Sequence, residues 1–328
     1  MAVTSAQVAR AAGVSQATVS YVLNATPGQT ISAKTRDKVR KAANDLGYRP
    51  NAAARSLRTG RGEAVLFPVP GPVGHVLSQL IDACSDALTA RDLTLVTDQA
   101  TYASVSEQLD AWLRVRPAAV LDLLLPRDEP VLPALRAAGV AVLSAPGSDE
   151  PSWESAGDVF AIESRKTQLS YVLERGHRRI AFVRPVRMHA DRRVERNLMQ
   201  QLRRMATASG AELTAIECDL APDAIRSLVR PWKKKPPDAV CAISDEYAIA
   251  IVTALIDSGV RVPKDVAVIG VDDIPFASYV TPSLTTVAAD FRTLADGIAS
   301  AVTSLLDDPS AQHVLPRPEH HLVVRESA

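Results

Sequence analysis

The sequence predicts a small all-α head followed by a large α/β core. Three observations predict this division. Short amphipathic helical segments fill the first 48 residues, whereas short apolar strands alternate with helices from residue 63 to the end. Residues 1–62 hold ten basic and two acidic side chains, and residues 63–328 hold 27 basic and 35 acidic ones, so net charges of +8 and −8 coincide with the two parts. A chain of 328 residues is long enough for a head and a core of one or two lobes.

The stretch TSAQVARAAGVSQATVSYVLN, residues 4–24, predicts two short helices joined by a tight turn. Thr4 and Gln7 have the spacing of a capping box, in which each side chain accepts a hydrogen bond from the other residue's amide. Gly13 ends the first helix because glycine takes a positive φ readily, and Ser15 can cap the second. Such a pair is a helix-turn-helix, whose second helix enters the major groove of DNA. A helical hairpin inside a larger bundle is the alternative interpretation.

The second helix carries the residues expected to contact DNA. The N-terminal residues of a recognition helix meet base edges, so Gln16 and Ala17 are the predicted base readers, with Tyr21 one turn later. Glutamine can pair with adenine, and alanine can contact the methyl group of thymine. The predicted contacts to the phosphate backbone are Thr4, Ser15, Thr18, Ser20, Asn24 and Arg36. Asn24 could instead turn the chain after the helix.

A third helix is predicted over residues 33–46, capped by Ser32, ended by Gly47 and buried through Val39, Ala42, Ala43 and Leu46. The segment YRPNAAARSLRTGR, residues 48–61, comes next in the chain. The three helices, with YRPN at 48–51 and ARSL at 54–57, resemble the LacI/GalR family of bacterial transcriptional repressors. The sequence therefore predicts a DNA-binding domain over residues 1–48 and a hinge with its linker over 49–62.

The resemblance implies that residues 50–57 form a hinge helix on operator DNA and that Leu57 enters the minor groove. Asn51 and Arg55 of this segment are also expected to contact DNA. About eight residues are fewer than the ~12–15 that an isolated helix needs in water. We therefore expect the hinge helix to need a partner hinge and the minor groove together.

Alternating strands and helices predict parallel sheets with helices on both faces. Predicted strands cover residues 64–67, 93–97, 119–125, 140–144, 180–183, 212–217, 239–243, 266–271 and 321–324. Predicted helices cover residues 75–90, 104–115, 131–138, 166–175, 191–209, 224–229, 247–258 and 292–306. The two sets of similar size indicate two Rossmann-like lobes with a cleft between them.

Segments of this core, residues 63–328, extend the resemblance to the LacI/GalR family. They are ERGHRRIA from residue 174, VPKDVAVIGVDD from 262 and TPSLTTV from 281. The resemblance implies a core similar to periplasmic sugar-binding proteins, with three crossovers between the lobes. It assigns residues 63–161 and 290–318 to the N-lobe, and residues 162–289 and 319–328 to the C-lobe.

Ligands of doubly wound sheets lie beyond the carboxyl ends of the strands, and Asp245 and Asp272 each come directly after a predicted strand. The resemblance aligns effector-binding carboxylates with these two residues and an effector-binding arginine with Arg193. Structural roles stay open, because Asp245 can cap a helix and Asp272 can cap a turn. GPVGH at residues 71–75 replaces the family's usual Asn-Pro-Phe and leaves the effector class open. His75 there could contact an effector or be solvated.

The sequence lacks the motifs of nucleophilic, nucleotide-dependent and metal-dependent catalysis, so we expect neither an enzyme nor a cofactor. Neighbouring His320 and His321 would point to opposite faces of a strand, which makes a poor metal site. Cys84, Cys218 and Cys241 are most simply buried thiols. No signal segment or apolar run of ~20 residues occurs, which predicts a cytoplasmic protein that joins the nucleoid when it binds DNA.

Together these features predict a regulator, most simply a repressor, that binds a double-stranded pseudo-palindromic operator as a homodimer and responds to a small-molecule effector such as a sugar. The helix at 75–90 could supply an apolar dimer interface, or its stripe could face its own sheet. A DNA-binding regulator with a ligand-insensitive core is one alternative. A solute-binding protein is another, against which the basic head and the lack of an export signal argue.

Overall fold

The computed structural model describes residues 3–23, 30–48, 62–69, 73–125, 129–144, 156–186 and 192–328, and only the backbone of 156–161 and 192–195. The chain forms two compact units, Met1–Glu63 and Ala64–Ala328. The division coincides with the change from helical segments to alternating strands and helices.

The head contains α1 Ser5–Ala12, α2 Gln16–Leu23 and α3 Ala33–Asp45. One side chain or more from each helix fills a shared apolar core, with Val8, Val19 and Val39 all at most 1% exposed. The predicted inward face of α3 is confirmed except at Leu46. That residue forms the C-cap of α3 and is 39% exposed, because the helix ends before its side chain can turn inward.

The first sheet of the core has four parallel strands in the order β2-β1-β3-β4: β1 Ala64–Pro68, β2 Thr94–Asp98, β3 Ala119–Asp122 and β4 Ala141–Ser144. Successive side chains of a strand point to opposite faces. Val65 and Phe67 therefore pack against α4 His75–Thr89. Leu66 packs on the other face, against α5 Val105–Val115 and α6 Val131–Ala137. Helices thus cover both faces, as the continuous apolar strands predict.

The second sheet repeats this design in the order β6-β5-β7-β8: β5 Arg179–Arg184, β6 Glu212–Glu217, β7 Ala239–Ala242 and β8 Ala267–Ile269. Ile180 and Phe182 pack with α7 Ala156–Glu174 and α8 Arg192–Ala208. Ala181 and Val183 pack on the opposite face, with α9 Pro222–Val229 and α10 Asp245–Asp257. The parallel strands bring all four carboxyl ends to one edge of the sheet, which positions the acidic residues that come after β7 and β8.

A third, two-stranded antiparallel sheet pairs β9 Thr286–Asp290 with β10 Glu319–Val323. Between them, α11 Arg292–Asp307 packs on the first sheet through Ile298 and Val302. Leu322 of β10 packs against the core of the second sheet. The sequence prediction missed β9, because its five residues come after a turn-rich segment. It also started α7 ten residues late, because the buried polar Ser164 and Arg165 interrupt the apolar pattern.

Most of the apolar stripe of α4 packs within its own lobe. Leu80, Cys84 and Leu88 are at most 4% exposed and belong to the core of the first sheet, together with α11. Leu77 and Ile81 are partly buried against the same core. Leu80, Cys84 and Leu88 therefore face the core of their own lobe, whereas Leu77 and Ile81 keep partly exposed surface.

Candidate functional site

The first turns of α1 and α2 are held by side-chain caps. The amide of Thr4 donates to Oε1 of Gln7 over 2.8 Å, and the amide of Gln7 donates to Oγ1 of Thr4 over 3.4 Å, so the predicted capping box is confirmed. Gly13 has a φ of 66° and ends α1, as expected. Oγ of Ser15 accepts from the amide of Thr18 over 3.1 Å, which confirms its capping role. These bonds hold the turn that sets the direction of α2.

The helix α2 presents one buried and one exposed face. Val19 and Val22 are buried in the head core. The side chains predicted to read bases, Gln16, Ala17 and Tyr21, are exposed. Ala17 and Tyr21 are four residues apart and share one side of the helix, and Gln16 lies about 100° around the axis from Ala17. Among the predicted phosphate contacts on and beside α2, Ser15 is exposed, and Thr18 and Ser20 are half-buried. The structure therefore leaves each of these predicted DNA contacts at least partly accessible.

The helix α3 adds positive charge that the residue-by-residue prediction largely left out. Its exposed basic side chains are Lys34, Arg36, Lys38, Arg40 and Lys41. Only Arg36 was expected to contact DNA, and its Nε donates to the carbonyl oxygen of Ile31 over 3.2 Å. The four other side chains show as a charge run in the sequence, and their common exposure becomes visible only with the helix in place. The head thus exposes a polar helix and a basic helix.

Four predicted DNA contacts, Asn24, Asn51, Arg55 and Leu57, lie outside the described residues. Their roles, including that of the hinge, stay predictions from the sequence.

In the core, Asp245 is fully buried at the start of α10. Its Oδ2 accepts from the amide of Ile274 over 2.9 Å, and its Oδ1 accepts from the hydroxyl of Thr286 over 2.6 Å. The N-cap of α10 is Ser244, so Asp245 is not the cap that the sequence left open. Burial raises the pKa of Asp245 to about 6, although both hydrogen bonds lower it. The geometry gives this carboxylate a structural role between three chain segments.

Asp272 is the more accessible of the two carboxylates. It lies just after β8, is half-buried, and has a φ of 114°, which lies in the region that favours glycine. Its amide donates to the carbonyl oxygen of Val287, which holds the backbone, and the described residues give its carboxylate no hydrogen bond. Burial raises the pKa of Asp272 to about 7, against the attraction of Arg165. The carboxylate therefore keeps acceptor positions for a ligand.

Two buried polar residues of α7 lie beside these carboxylates, and the sequence prediction missed both. The guanidinium of Arg165 donates to the carbonyl oxygen of Ile243 over 2.5 Å and to Oγ of Ser164 over 3.0 Å. Burial lowers the pKa of Arg165, and Asp272 and Asp245 oppose this. Nε2 of Gln168 donates to the carbonyl oxygens of Ala242, Ile269 and Gly270 over 2.9 to 3.2 Å. The sequence does show Arg165 and Gln168 as two polar residues in a helix with apolar neighbours. Periodicity alone would place both side chains toward solvent.

The first lobe also holds acidic residues at the carboxyl ends of its strands. Oδ2 of Asp98, the last residue of β2, accepts from Nε1 of Trp112 over 2.6 Å and from the hydroxyl of Tyr102 over 2.9 Å. Oδ2 of Asp122, the last residue of β3, accepts from Oγ of Ser144 over 2.7 Å. Burial raises the pKa of Asp122. The sequence prediction missed both carboxylates, and in the case of Asp122 the reason is that it extended β3 to residue 125.

The remaining predicted effector contacts, His75 and Arg193, lie on helices that pack against different sheets. His75 begins α4 and is half-buried, with its Nε2 3.0 Å from Nε2 of Gln79. Arg193 lies in the first turn of α8, where only the backbone is described. The structure does not bring His75 into contact with Asp245 or Asp272. Within the described ranges, no cluster of histidine, cysteine or acidic residues could hold a metal ion, and no helix is long and apolar enough to cross a membrane.

Known proteins match both parts of the chain. A family described as "Bacterial regulatory proteins, lacI family" matches residues 6–51, and a "Periplasmic binding protein-like domain" matches residues 169–328. The HTH-type transcriptional regulator CelR of Thermobifida fusca is 33% identical, over 98% of this chain and 96% of its own. The chain belongs to the lacI family. It is thus a DNA-binding transcriptional regulator, as the sequence predicts.

Solved structures of lacI-family regulators share this fold. A CelR–cellobiose complex is 26% identical and covers 99% of this chain and 100% of its own, with a TM-score of 0.65. A lac repressor dimer bound to operator and the anti-inducer ONPF is 24% identical, covers 100% and 99%, and has a TM-score of 0.70. At that identity the likeness supports the fold alone. The predicted fold class, a helix-turn-helix head and a periplasmic-binding-protein-like α/β core, is therefore confirmed.

Asp272 predicts a particular pH dependence of stability. Its pKa of about 7 in the fold exceeds its ordinary value of 3.8, so between these values the folded chain holds a proton that the unfolded chain has lost. The free energy of unfolding therefore falls as pH rises through this window. We expect the melting temperature to drop less between pH 5 and pH 8 in Asp272→Asn than in the parent. Asp257→Asn, at an exposed carboxylate of the same lobe, is the control. Parallel curves for the parent and Asp272→Asn would contradict this assignment.

Proposed function

We propose that this lacI-family regulator is a repressor that binds a pseudo-palindromic operator as a dimer and responds to a small-molecule effector. The observation that carries the DNA-binding part is the exposure of Gln16, Ala17 and Tyr21 on α2. The exposed basic side chains of α3 supply positive charge for phosphates. Base contacts then carry sequence preference, and phosphate contacts set the position of the head.

We assign base reading to Gln16 and Ala17 and phosphate contact to Thr4, Ser15, Thr18, Ser20 and Arg36. The capping bonds of Thr4 and Ser15 use their hydroxyl oxygens as acceptors. The hydroxyl of Thr4 also donates to Oε1 of Gln7 over 3.1 Å, and the hydroxyl oxygens of Ser15 and Thr18 lie 2.9 Å apart. A hydroxyl has a single proton, so a hydrogen bond from Thr4 to a phosphate would replace its bond to Gln7 and leave the two amide bonds of the capping box in place.

Gln16→Ala should change which half-site the protein prefers. A glutamine can form two hydrogen bonds with adenine, worth ~1–3 kcal/mol of discrimination. In a selection from random duplex DNA at one salt concentration, we expect the preference to change at one position of each half-site. Arg36→Gln is the control, since the loss of a phosphate contact should weaken all sequences about equally. A uniform loss for Gln16→Ala as well would move this side chain to the backbone contacts.

Dimerisation is typical of the family, and we propose that exposed aromatic side chains of the second lobe contribute to it. Phe276 lies in the short 3-10 helix Pro275–Ser278 and is 70% exposed, and Tyr279 comes directly after that helix and is 82% exposed. Aromatic residues are enriched at protein interfaces. Burial of both rings against a second copy would remove a large apolar area from water.

The double change Phe276→Ser and Tyr279→Ser should therefore shift the chain from dimer to monomer in light scattering at micromolar concentration. The control is Val314→Ser, which also removes an exposed apolar side chain, 93% exposed in the parent. The control should keep the molecular mass of the parent. A double variant that stays dimeric while correctly folded would exclude this patch from the interface.

We propose that the effector binds beyond the carboxyl ends of β7 and β8 and is a sugar. Asp272 supports this, because its carboxylate retains acceptor capacity for hydroxyl groups. The CelR relative in complex with cellobiose supports the same ligand class. Asp245 then supports the loop that carries Asp272 without touching the effector itself. Arg193 and His75 stay proposed contacts from the sequence. A regulator with a ligand-insensitive core is the alternative.

A ligand that binds only the folded state raises the melting temperature. At a ligand concentration of a hundred times Kd, the free energy of unfolding increases by ~2.7 kcal/mol. We expect cellobiose or another saccharide of a mono- and disaccharide panel to raise the melting temperature of the full chain. Asp272→Asn should lose this response and Asp257→Asn should keep it. No response to any saccharide would favour the ligand-insensitive alternative. A response retained by Asp272→Asn would place the sugar elsewhere.

We propose that the core binds its effector without catalysis, and that the protein acts in the cytoplasm and at the nucleoid, where operator DNA is found. In support, both oxygens of Asp245 accept hydrogen bonds from the protein itself, so this carboxylate is not free to act as a catalytic acid or base.

A further inference from the structure

The second lobe carries a groove of about 1440 Å³ that the proposed effector site does not use. One wall is α8, and the other is formed by the end of β5 and by the edge strand β6. In the strand order β6-β5-β7-β8, this edge lies on the far side of β5 from β7, the strand that leads to Asp245. The lining of the groove therefore contains neither Asp245 nor Asp272, while Arg193 lies about one turn before Arg196 on α8.

The lining of the groove is strongly basic. It contains four arginines, Arg184, Arg196, Arg203 and Arg204, and one acidic residue, Glu217, a net charge of +3. Oε1 of Glu217 accepts from Arg184 over 2.7 Å, so the single carboxylate is already paired. Residues 63–328 as a whole carry a net charge of −8. The groove thus concentrates positive charge on an otherwise acidic core.

Three of these arginines point their charge toward solvent. Arg196, Arg203 and Arg204 are exposed and form no hydrogen bond or ion pair within the described part of the chain. Arg196 and Arg203 lie seven residues apart on one side of α8, or about 10 Å along its axis. The opposite side of the helix, with Leu198 and Leu202, is buried in the core. Core packing therefore holds the helix that aligns the guanidinium groups.

We propose that this groove binds an extended phosphate-bearing anion, such as a nucleoside polyphosphate, at a second site separate from the effector. Guanidinium groups bind phosphate oxygens through paired hydrogen bonds and stay charged at any physiological pH. Groups aligned over about 10 Å of helix fit a chain of phosphates better than a single compact anion. The amide of Gln200 and the hydroxyl of Thr207 line the same groove and add neutral donors.

The test is calorimetric titration of the full chain, without DNA, with inorganic tripolyphosphate and with ATP at constant ionic strength. If tripolyphosphate and ATP bind equally tightly, the groove recognises the phosphates alone. If ATP binds more tightly, the groove also contacts the nucleoside. We expect sulfate to bind at least tenfold more weakly than either. Arg203→Gln with Arg204→Gln should weaken anion binding by about tenfold or more, since each loses charge-assisted hydrogen bonds.

The matched control is Lys233→Gln with Lys234→Gln, which removes the same charge from exposed positions of the same lobe outside the groove. This control should bind as the parent does. Arg203→Lys with Arg204→Lys keeps the charge but loses the paired geometry, and should give an intermediate loss if the glutamine variant fails to fold.

Four outcomes would overturn the proposal: no anion binding by the parent at millimolar concentration, equal losses in the lysine control, loss of anion binding in Asp272→Asn, or tighter binding of a poly-glutamate peptide than of tripolyphosphate. The third would return the anion to the effector site, and the fourth would assign the groove to an acidic protein.

Discussion

The buried carboxylate of Asp245 connects three segments of the second lobe that are distant in sequence. Its two oxygens bind the amide of Ile274, in the loop after β8, and the hydroxyl of Thr286, in β9, while its own backbone begins α10. A Cβ on Gly270 would lie 2.0 Å from Oδ1, so the strand approaches this carboxylate as closely as only glycine allows. These bonds anchor the loop that carries Asp272, together with the bond from the Asp272 amide to Val287.

This arrangement separates support from recognition. Asp245 is shielded from solvent and has satisfied oxygens, whereas Asp272 keeps unused acceptors in an unusual backbone conformation. Nonglycine residues at positive φ are disfavoured and persist where the surroundings hold them. The bond from the amide of Asp272 to Val287 is one such restraint. The head shows the same principle, because Ser15 and the core residues Val19 and Val22 hold α2 while Gln16 and Ala17 stay exposed.

Features that depend on periodicity and capping were predictable from the sequence. Thr4, Gln7 and Gly13 act through neighbours in the chain, so their spacing was sufficient. The packing of Val65 and Leu66 on opposite faces of the sheet likewise results from the pleat. Contacts made across distant segments were not predictable in this way. The sequence could not distinguish Asp245 from Asp272, since both come after strands. Only Asp245 has its oxygens occupied, by hydrogen bonds from Thr286 and Ile274, which are distant in sequence. Arg165 was missed for the same reason, because its partner Ile243 lies 78 residues away.

The amide of Gln168 gives the second sheet a chemical vulnerability. Its nitrogen faces three carbonyl oxygens at the ends of β7 and β8, and its own Oε1 is buried without a partner among the described residues. Deamidation would replace the NH2 group of this side chain, its only donor group, with a carboxylate oxygen. The negative charge would then lie beside the three carbonyl oxygens and repel them. The same hydrolysis on the surface would change little. The burial of Gln168, which excludes water from its amide, therefore protects this edge of the sheet from such a change.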